Sequence, residues 1–213
     1  MIRRFPWLGA GALAGLMALS SAPLLAYQSD VESLKSEWES ATTELRGSER
    51  RDALSRLADE AEVLAGQHAD QAEVLVWQGI ILASYARERS GLGALGSARD
   101  ARDALERAVE LDPRGSNGSA YVTLGALYDR APGRPLGFGN SNTAEEMFQR
   151  ALEIRPDGID VNYYYAAFLH EEGRSEEARE HAQRAVEGEA RADRQASDEA
   201  LRIEARTLLS RLT

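Results

Sequence analysis

The sequence predicts an all-α chain, folded as a short helical repeat array of about three helix–turn–helix units with flanking and capping helices. Three observations carry that prediction. Apolar residues recur every three or four positions in one segment after another, which marks one buried face of a helix. No segment of comparable length alternates as a half-buried strand does. Alanines stand seven apart in three successive segments: Ala101 and Ala108, Ala144 and Ala151, Ala178 and Ala185.

Over residues 30–46 the helix face is Val31, Leu34, Trp38, Ala41 and Leu45, and Gly47 is placed to end it, as glycine does beyond a helix C-terminus. A second helix over 49–65 carries Ala53, Leu57, Ala61 and Leu64, and a third, beginning near Asp70, carries Leu75, Val76, Gly79 and Ile80. The glycine-rich RERSGLGALGS then reads as an interruption before a helix over 98–111, which stops at Asp112-Pro113. A helix over 117–130 leads to the loop APGRPLGFGN, a helix over 143–154, and Pro156. Asn142 is placed to cap the latter helix, with Glu145 as its capping-box partner. A third unit runs over 160–172, turns at Gly173-Arg174 and resumes behind Ser175, a further N-cap candidate. The final helix starts behind Ser197 and shows Leu201, Ala205, Leu208 and Leu212 on one face.

The seven-residue alanine spacing has a packing reason. Two antiparallel helices bring their backbones together only where side chains are small, and positions i and i+7 share a face. A larger residue lies between the alanines as Leu105 and Phe148, with Ala182 in the third unit. The first helix of each unit offers Gly79, Gly125 or Ala166, and prolines follow as Pro113 and Pro156. In these residues, over about 72–188, the chain resembles the tetratricopeptide repeat (TPR) family, which places small residues and a proline at these positions of a 34-residue unit.

Cysteine is absent from the 213 residues, which removes disulfides, thiolate catalysis, cysteine-ligated zinc and lipid attachment at cysteine. The formal charge is −10. Such a surface repels phosphate backbones and anionic lipid, so nucleic acid is not an expected partner. Residues 1–26 have the anatomy of a secretory signal: Arg3 and Arg4, an apolar run over 7–19, and SSAPLLA with cleavage expected after Ala26. The rival reading is a retained membrane anchor, for which the apolar run is short against a span of about 20 residues. The expected product is one helical domain, residues 27–213, exported to a bacterial periplasm and free of the membrane once cleaved. It carries 23 basic residues against 35 acidic, a charge of −12.

The spacing of small residues locates two expansions. Ala166 and Ala178 are twelve apart, but Gly79 and Ala101 are 22 apart, and Gly125 and Ala144 are 19 apart. Both excesses fall in the turn within a unit, so two loops are expected along one edge of the array, where repeat proteins often bind. The second loop, with Pro132, Gly133, Arg134, Pro135, Gly137, Phe138, Gly139 and Asn140, is the leading binding candidate, because two prolines and an inward-type aromatic predict order. Together with PDGIDVNYYYAAFL, this stretch resembles exported bacterial TPR proteins, the T component associated with TRAP (tripartite ATP-independent periplasmic) transporters among them. That resemblance implies a helical protein with a ligand-sized apolar passage that assists a periplasmic solute-binding partner.

The resemblance also gives a register for the concave side: Val76 and Ile80, Val122 and Ala126, Tyr163 and Ala167, with Asp129, Arg130 and His170 at the polar end and Tyr164 beside them. Whether other helices fill this groove or a ligand does is left open.

No catalytic or metal site is expected. His68, His170 and His181 share no paired spacing, and the acidic residues are spread over helix faces. GLGALG follows a helix, so it lacks the strand that a dinucleotide turn needs, and no cofactor is expected. Asn117-Gly118-Ser119 has the letters of a glycosylation sequon, without meaning for a bacterial export. Two functions follow. The first is a non-enzymatic exported scaffold that binds a protein or peptide through its groove and inserted loops. The second is a TRAP-transporter accessory that holds a small apolar solute in a helical cavity. Self-association into a homo-oligomer is open under either.

Overall fold

A computed structural model describes residues 22–212. Among these it forms α1 (Ala22–Thr43), α2 (Gly47–Gln67), α3 (Ala72–Arg87), α4 (Gly91–Leu111), α5 (Ser119–Arg130), α6 (Ser141–Ile154), α7 (Ile159–Glu171), α8 (Ser175–Glu187) and α9 (Gln195–Arg211). Short 3₁₀ turns lie at Gly115–Gly118 and Ala192–Arg194. The described residues contain no strand and no helix long and apolar enough to cross a membrane. The segment read as a secretory signal, 1–26, lies outside the described residues except for 22–26, which begin α1.

Three hairpins, α3–α4, α5–α6 and α7–α8, are the three units. Their first helices touch in series, α1 extends that row at one end, and α9 at the other. The close approaches fall where the small residues predict. A Cβ on Gly79 would stand 2.3 Å from Leu105 Cγ, and one on Gly125 would stand 2.6 Å from Phe148 Cε1. All six heptad-spaced alanines are buried, as are Leu105, Phe148, Ala166 and Ala182. The sizes compensate across each hairpin: glycine meets leucine or phenylalanine in two units, and the third has alanine at both positions.

Three local expectations are corrected. Gly47, at φ +56°, opens α2 instead of ending α1, which stops earlier at Thr43. The cap of α6 is Asn140, not Asn142: its extended backbone frees the side chain to accept the Thr143 N–H at 3.0 Å, whereas Ser141 and Asn142 are already helical. Glu145 is drawn away from any capping box by Arg174 and by the Tyr165 hydroxyl, which donates to it at 2.9 Å. Ser175 is likewise the first residue of α8, with no side-chain cap before it.

The largest difference concerns the first expansion, which is not a loop. GLGALGS is helical and lengthens α4 at its N-terminus, leaving 88–90 as the connection from α3. Glycine costs about 1 kcal/mol per residue in a helix, but contacts offset it here. The Arg89 guanidinium stacks 4.9 Å from the Tyr85 ring centre and donates to Ser97 Oγ at 3.1 Å, and Ala98 packs on the core.

Candidate functional site

The loop between α5 and α6 is ordered by its own backbone. The Gly137 N–H donates to Gly133 O (3.1 Å), Gly139 N–H to Pro132 O (3.0 Å) and Asn140 N–H to Tyr128 O (2.9 Å). A Cβ on Gly137 would meet Pro132 O at 2.3 Å, and one on Gly139 would meet Ala131 O at 2.0 Å, so these glycines permit the fold of the loop itself. The Arg134–Pro135 peptide is cis. Phe138 turns inward, edge-on to Tyr128 at 5.5 Å and under the Arg102 guanidinium at 4.7 Å. Arg99 donates to Leu136 O at 3.0 Å. Both aromatic and carbonyl are therefore held by α4. Pro132, Gly133, Arg134, Pro135 and Leu136 face solvent, Leu136 being 72% exposed. Beneath, the Tyr128 hydroxyl donates to Glu106 at 2.5 Å; burial, with that carboxylate second, pushes its pKa up to about 12.

Phe138→Ala should therefore loosen the loop without unfolding the array. The expected loss is about 1–2 kcal/mol from the aromatic and cation–π contacts. Amide exchange at Gly137, Gly139 and Asn140 should quicken; unchanged exchange would mean the backbone alone holds the loop.

The other candidates fall into separate places. Val76, Ile80 and Val122 are core: Val122 packs with Tyr121, Ala151 and Val161, and Tyr164 lies against that cluster. Tyr163 and Tyr164 pair at 5.2 Å, both half-buried, and burial raises the Tyr163 pKa. Asp129 and Arg130 pair at 2.9 Å, Arg130 reaches Glu171 at 2.9 Å, and His170 is exposed. Burial, then Glu171 and Glu172, raise the Asp129 pKa against the pull of Arg130. Tyr165 packs with Phe148, Phe168 and His181. Phe138 packs on the N-terminal apolar cluster and Tyr165 belongs to the C-terminal one, and Tyr128 lies against both.

What fills the groove is the chain's own C-terminal segment. Residues 188–194, here termed the strap, lead from α8 across the row of first helices, and α9 then packs against α7, α8 and α1. The row α1, α3, α5, α7, α9 thereby closes on itself. At the seam the Ser197 N–H donates to Glu39 at 2.9 Å, and Lys35 faces Asp193 at 3.7 Å.

An ion network holds the strap down. Asp198, 1% exposed, accepts the Arg191 backbone N–H (2.9 Å), its Nε (2.9 Å) and its Nη2 (2.6 Å). Arg191 Nη2 also reaches Asp160 at 3.0 Å, and Asp160 pairs with Arg155 as well. Two cations and two carboxylates are matched.

Closure leaves a cleft of about 250 Å³ lined by Lys35, Glu73, Val76, Trp77, Ile80, Ser116, Asn117, Ser119, Arg191, Asp193 and Arg194. Arg194 is its most unusual member. It is 8% exposed, with its guanidinium carbon 4.6 Å from the Trp38 ring centre and 5.4 Å from that of Trp77. No acceptor among the described residues reaches its guanidinium, and Nε is fully buried. Burial lowers its pKa to about 10, with Arg191 adding to that effect. Across the cleft Ser116 Oγ is buried without a partner, and Ser116 and Asn117 both hold left-handed backbone, at φ +49° and +53°. Non-glycine residues there are strained, and such strain gathers at functional sites. Trp38 is anchored from behind, donating to Ser84 Oγ at 2.8 Å. These residues were invisible as a site in the sequence, because α1, α3, the turn after α4 and the strap meet only on closure; the placing of two of the chain's three tryptophans at inward helical positions was the available signal.

A family model described as the TRAP transporter T-component matches residues 33–196. Among solved structures, TTC0263, a thermophilic TPR protein of Thermus thermophilus, is similar at a TM-score of 0.55 and 16% identity, over 88% of this chain and 93% of its own. MamA is similar at a TM-score of 0.47 and 17% identity, over 81% of this chain and 95% of its own. No curated protein matches the chain.

Proposed function

This chain belongs to the TRAP transporter T-component family, and from that membership we propose that it is a non-enzymatic, exported accessory of such a transporter that holds a small solute in the cleft beneath the strap. One observation carries the choice over a peptide-binding scaffold: the strap crosses the concave side, where a partner helix would lie, and α9 closes the row against α1. A helix is about 10–12 Å across with its side chains. The cleft left beside the strap is about 250 Å³, of small-molecule size and too small for a helix. Eight of the eleven lining residues are polar or charged, and Val76, Trp77 and Ile80 form an apolar floor among them.

Under this reading the solvent-facing part of the 132–140 loop serves the partner, a periplasmic solute-binding protein, and not the ligand. Arg134→Ala should weaken that contact and leave ligand content unchanged.

Native mass spectrometry of the protein purified from its own host tests the proposal. A retained small adduct, lost on denaturation, is the expected result. Protein that carries no adduct, and gains none when incubated with the host's small-molecule extract, would overturn the solute-holding role.

A further inference from the structure

The formal charge of −10, averaged over the chain, argues against anionic lipid, but the charge is not evenly spread. The two expanded turns, α3–α4 and α5–α6, lie at one edge of the array. Residues 84–102 and 131–142, which build that edge, hold five arginines against two acidic residues, Glu88 and Asp100. Glu88 is taken by Arg50 at 3.3 Å. Among the described residues no carboxylate pairs with Arg87, Arg89, Arg99 or Arg134. A positive edge therefore stands on a negative protein.

The same edge carries Leu92, 88% exposed, and Leu136, 72% exposed, the most exposed large apolar side chains among the described residues. Both are tips. α4 begins ten residues ahead of Ala101, whereas α8 begins three ahead of Ala178. At 1.5 Å per residue, α4 reaches about 10 Å farther along its axis than the helix of the unexpanded unit. Leu92 is its second residue, set between Gly91 and Gly93. Arg99, seven positions on, shares that face and donates to Leu136 O at 3.0 Å, which ties the second tip to the same side. A single exposed leucine is ordinary. Two at neighbouring tips, backed by arginines that no carboxylate answers, form a pattern.

We propose that this edge docks reversibly on an anionic phospholipid bilayer, with Leu92 and Leu136 entering the interface and Arg87, Arg89, Arg99 and Arg134 meeting the headgroup phosphates. Narrow tips set among glycines and prolines offer a protein partner little flat area to match. A fluid interface needs no matching shape. It takes apolar side chains to a depth of about 5–10 Å and lets arginine keep its head among the phosphates. The rest of the surface is predominantly acidic, so this edge is the one that can face such a membrane, and the contact fixes the orientation of the domain. The proposal goes beyond solute holding. Arg134 and Leu136 also belong to the loop given above to the partner protein, so lipid and partner exclude one another there.

Sedimentation with vesicles tests the assignment, using the protein and its variants purified from the host. Wild type should sediment with vesicles of one part phosphatidylglycerol to two of phosphatidylcholine, stay in solution with phosphatidylcholine alone, and detach in high salt. Leu92→Glu combined with Leu136→Glu should remove binding and leave the unfolding midpoint unchanged, because both side chains stand in water. Arg87→Gln should weaken binding about fivefold, the usual scale for one cation at an anionic surface. Arg114→Gln makes the same charge change in the turn after α4, at the opposite edge, and should leave binding unchanged.

Four results would overturn the assignment: wild type staying in solution with anionic vesicles, equal binding to neutral ones, wild-type binding by the leucine variant, or Arg114→Gln losing as much as Arg87→Gln. In the first case, an acidic protein cross-linked through position 92 would give the edge to that partner instead. None of these results touches the adduct in the native spectrum, so the solute-holding role stands or falls separately.

Discussion

Asp160→Ala is expected to destabilise the protein by about 3–5 kcal/mol, the usual loss when one partner of a buried ion network goes and the others stay charged. Asp160 is 3% exposed and accepts from Arg155, from Arg191 at 3.0 Å and from the Val161 N–H at 2.8 Å. Removing it leaves Arg155 without its carboxylate and Arg191 with Asp198 alone, and frees the strap from α7, so the cleft should open in the same variant. Acid titration tests the same group. Burial alone would raise the Asp160 pKa, but Arg191, Arg155 and Arg194 outweigh it and lower it from 3.8 to about 2. The folded-state value lies below the unfolded one, so the stabilisation is complete above about pH 4 and is lost as pH falls through about 2. Its size is about 2 kcal/mol, at 1.36 kcal/mol per pKa unit. Denaturant unfolding at a series of pH values should show wild type losing this increment and Asp160→Ala lacking it; parallel curves would assign the acid sensitivity to other carboxylates.

Phe148→Ala is expected to cost about 3–5 kcal/mol, from a lost aromatic and the cavity it leaves. Phe148 is 1% exposed, 5.6 Å from Tyr165 and 5.8 Å from Phe168, with its ring edge against Gly125. Gly125→Ala alone should cost about 1–3 kcal/mol, since the methyl would lie 2.6 Å from the ring, less the roughly 1 kcal/mol that alanine gains in a helix. In the Phe148→Ala background the same change should be stabilising, because its methyl enters the vacated space. The pair then reproduces what the third unit already has in Ala166 and Ala182. A thermodynamic cycle of the four proteins reads this directly. If Gly125→Ala has the same sign in both backgrounds, size compensation between the helices is not what spaces these hairpins.

The repeat scaffold was legible because its signal is steric and periodic. A glycine or alanine that admits a neighbouring backbone leaves a mark at fixed spacing, and every such position is buried. The capping residue of α6 was misplaced by two positions because Asn140 and Asn142 carry identical chemistry, and backbone extension at the first decides between them. The stretch 91–97 was misread for a different reason: helix propensity argues for a loop, and Arg89, Tyr85 and α4's own packing override it. The cleft could not be read at all. Arg194 lies in a segment of ordinary EARADR sequence, and its meaning depends on tryptophans from two other helices and on the absence of any acceptor, neither of which is written locally.

The seam between α1 and α9 has a consequence for how such a protein can change over time. In an open solenoid each hairpin touches only its neighbours, so units can be added or lost one at a time. Here the Ser197 amide meets Glu39 across 158 positions of chain, and an extra hairpin would carry α9 away from α1. The number of repeats is thereby locked, and lineages can diversify through turns and substitutions more readily than through duplication. Assembly of the molecule changes too: hairpins form from near neighbours in sequence, whereas joining the two ends is a distant encounter whose entropic cost grows only slowly with the length enclosed. The seam is then the last part to form and the first to part, and a solute that bridges it acts as a clasp.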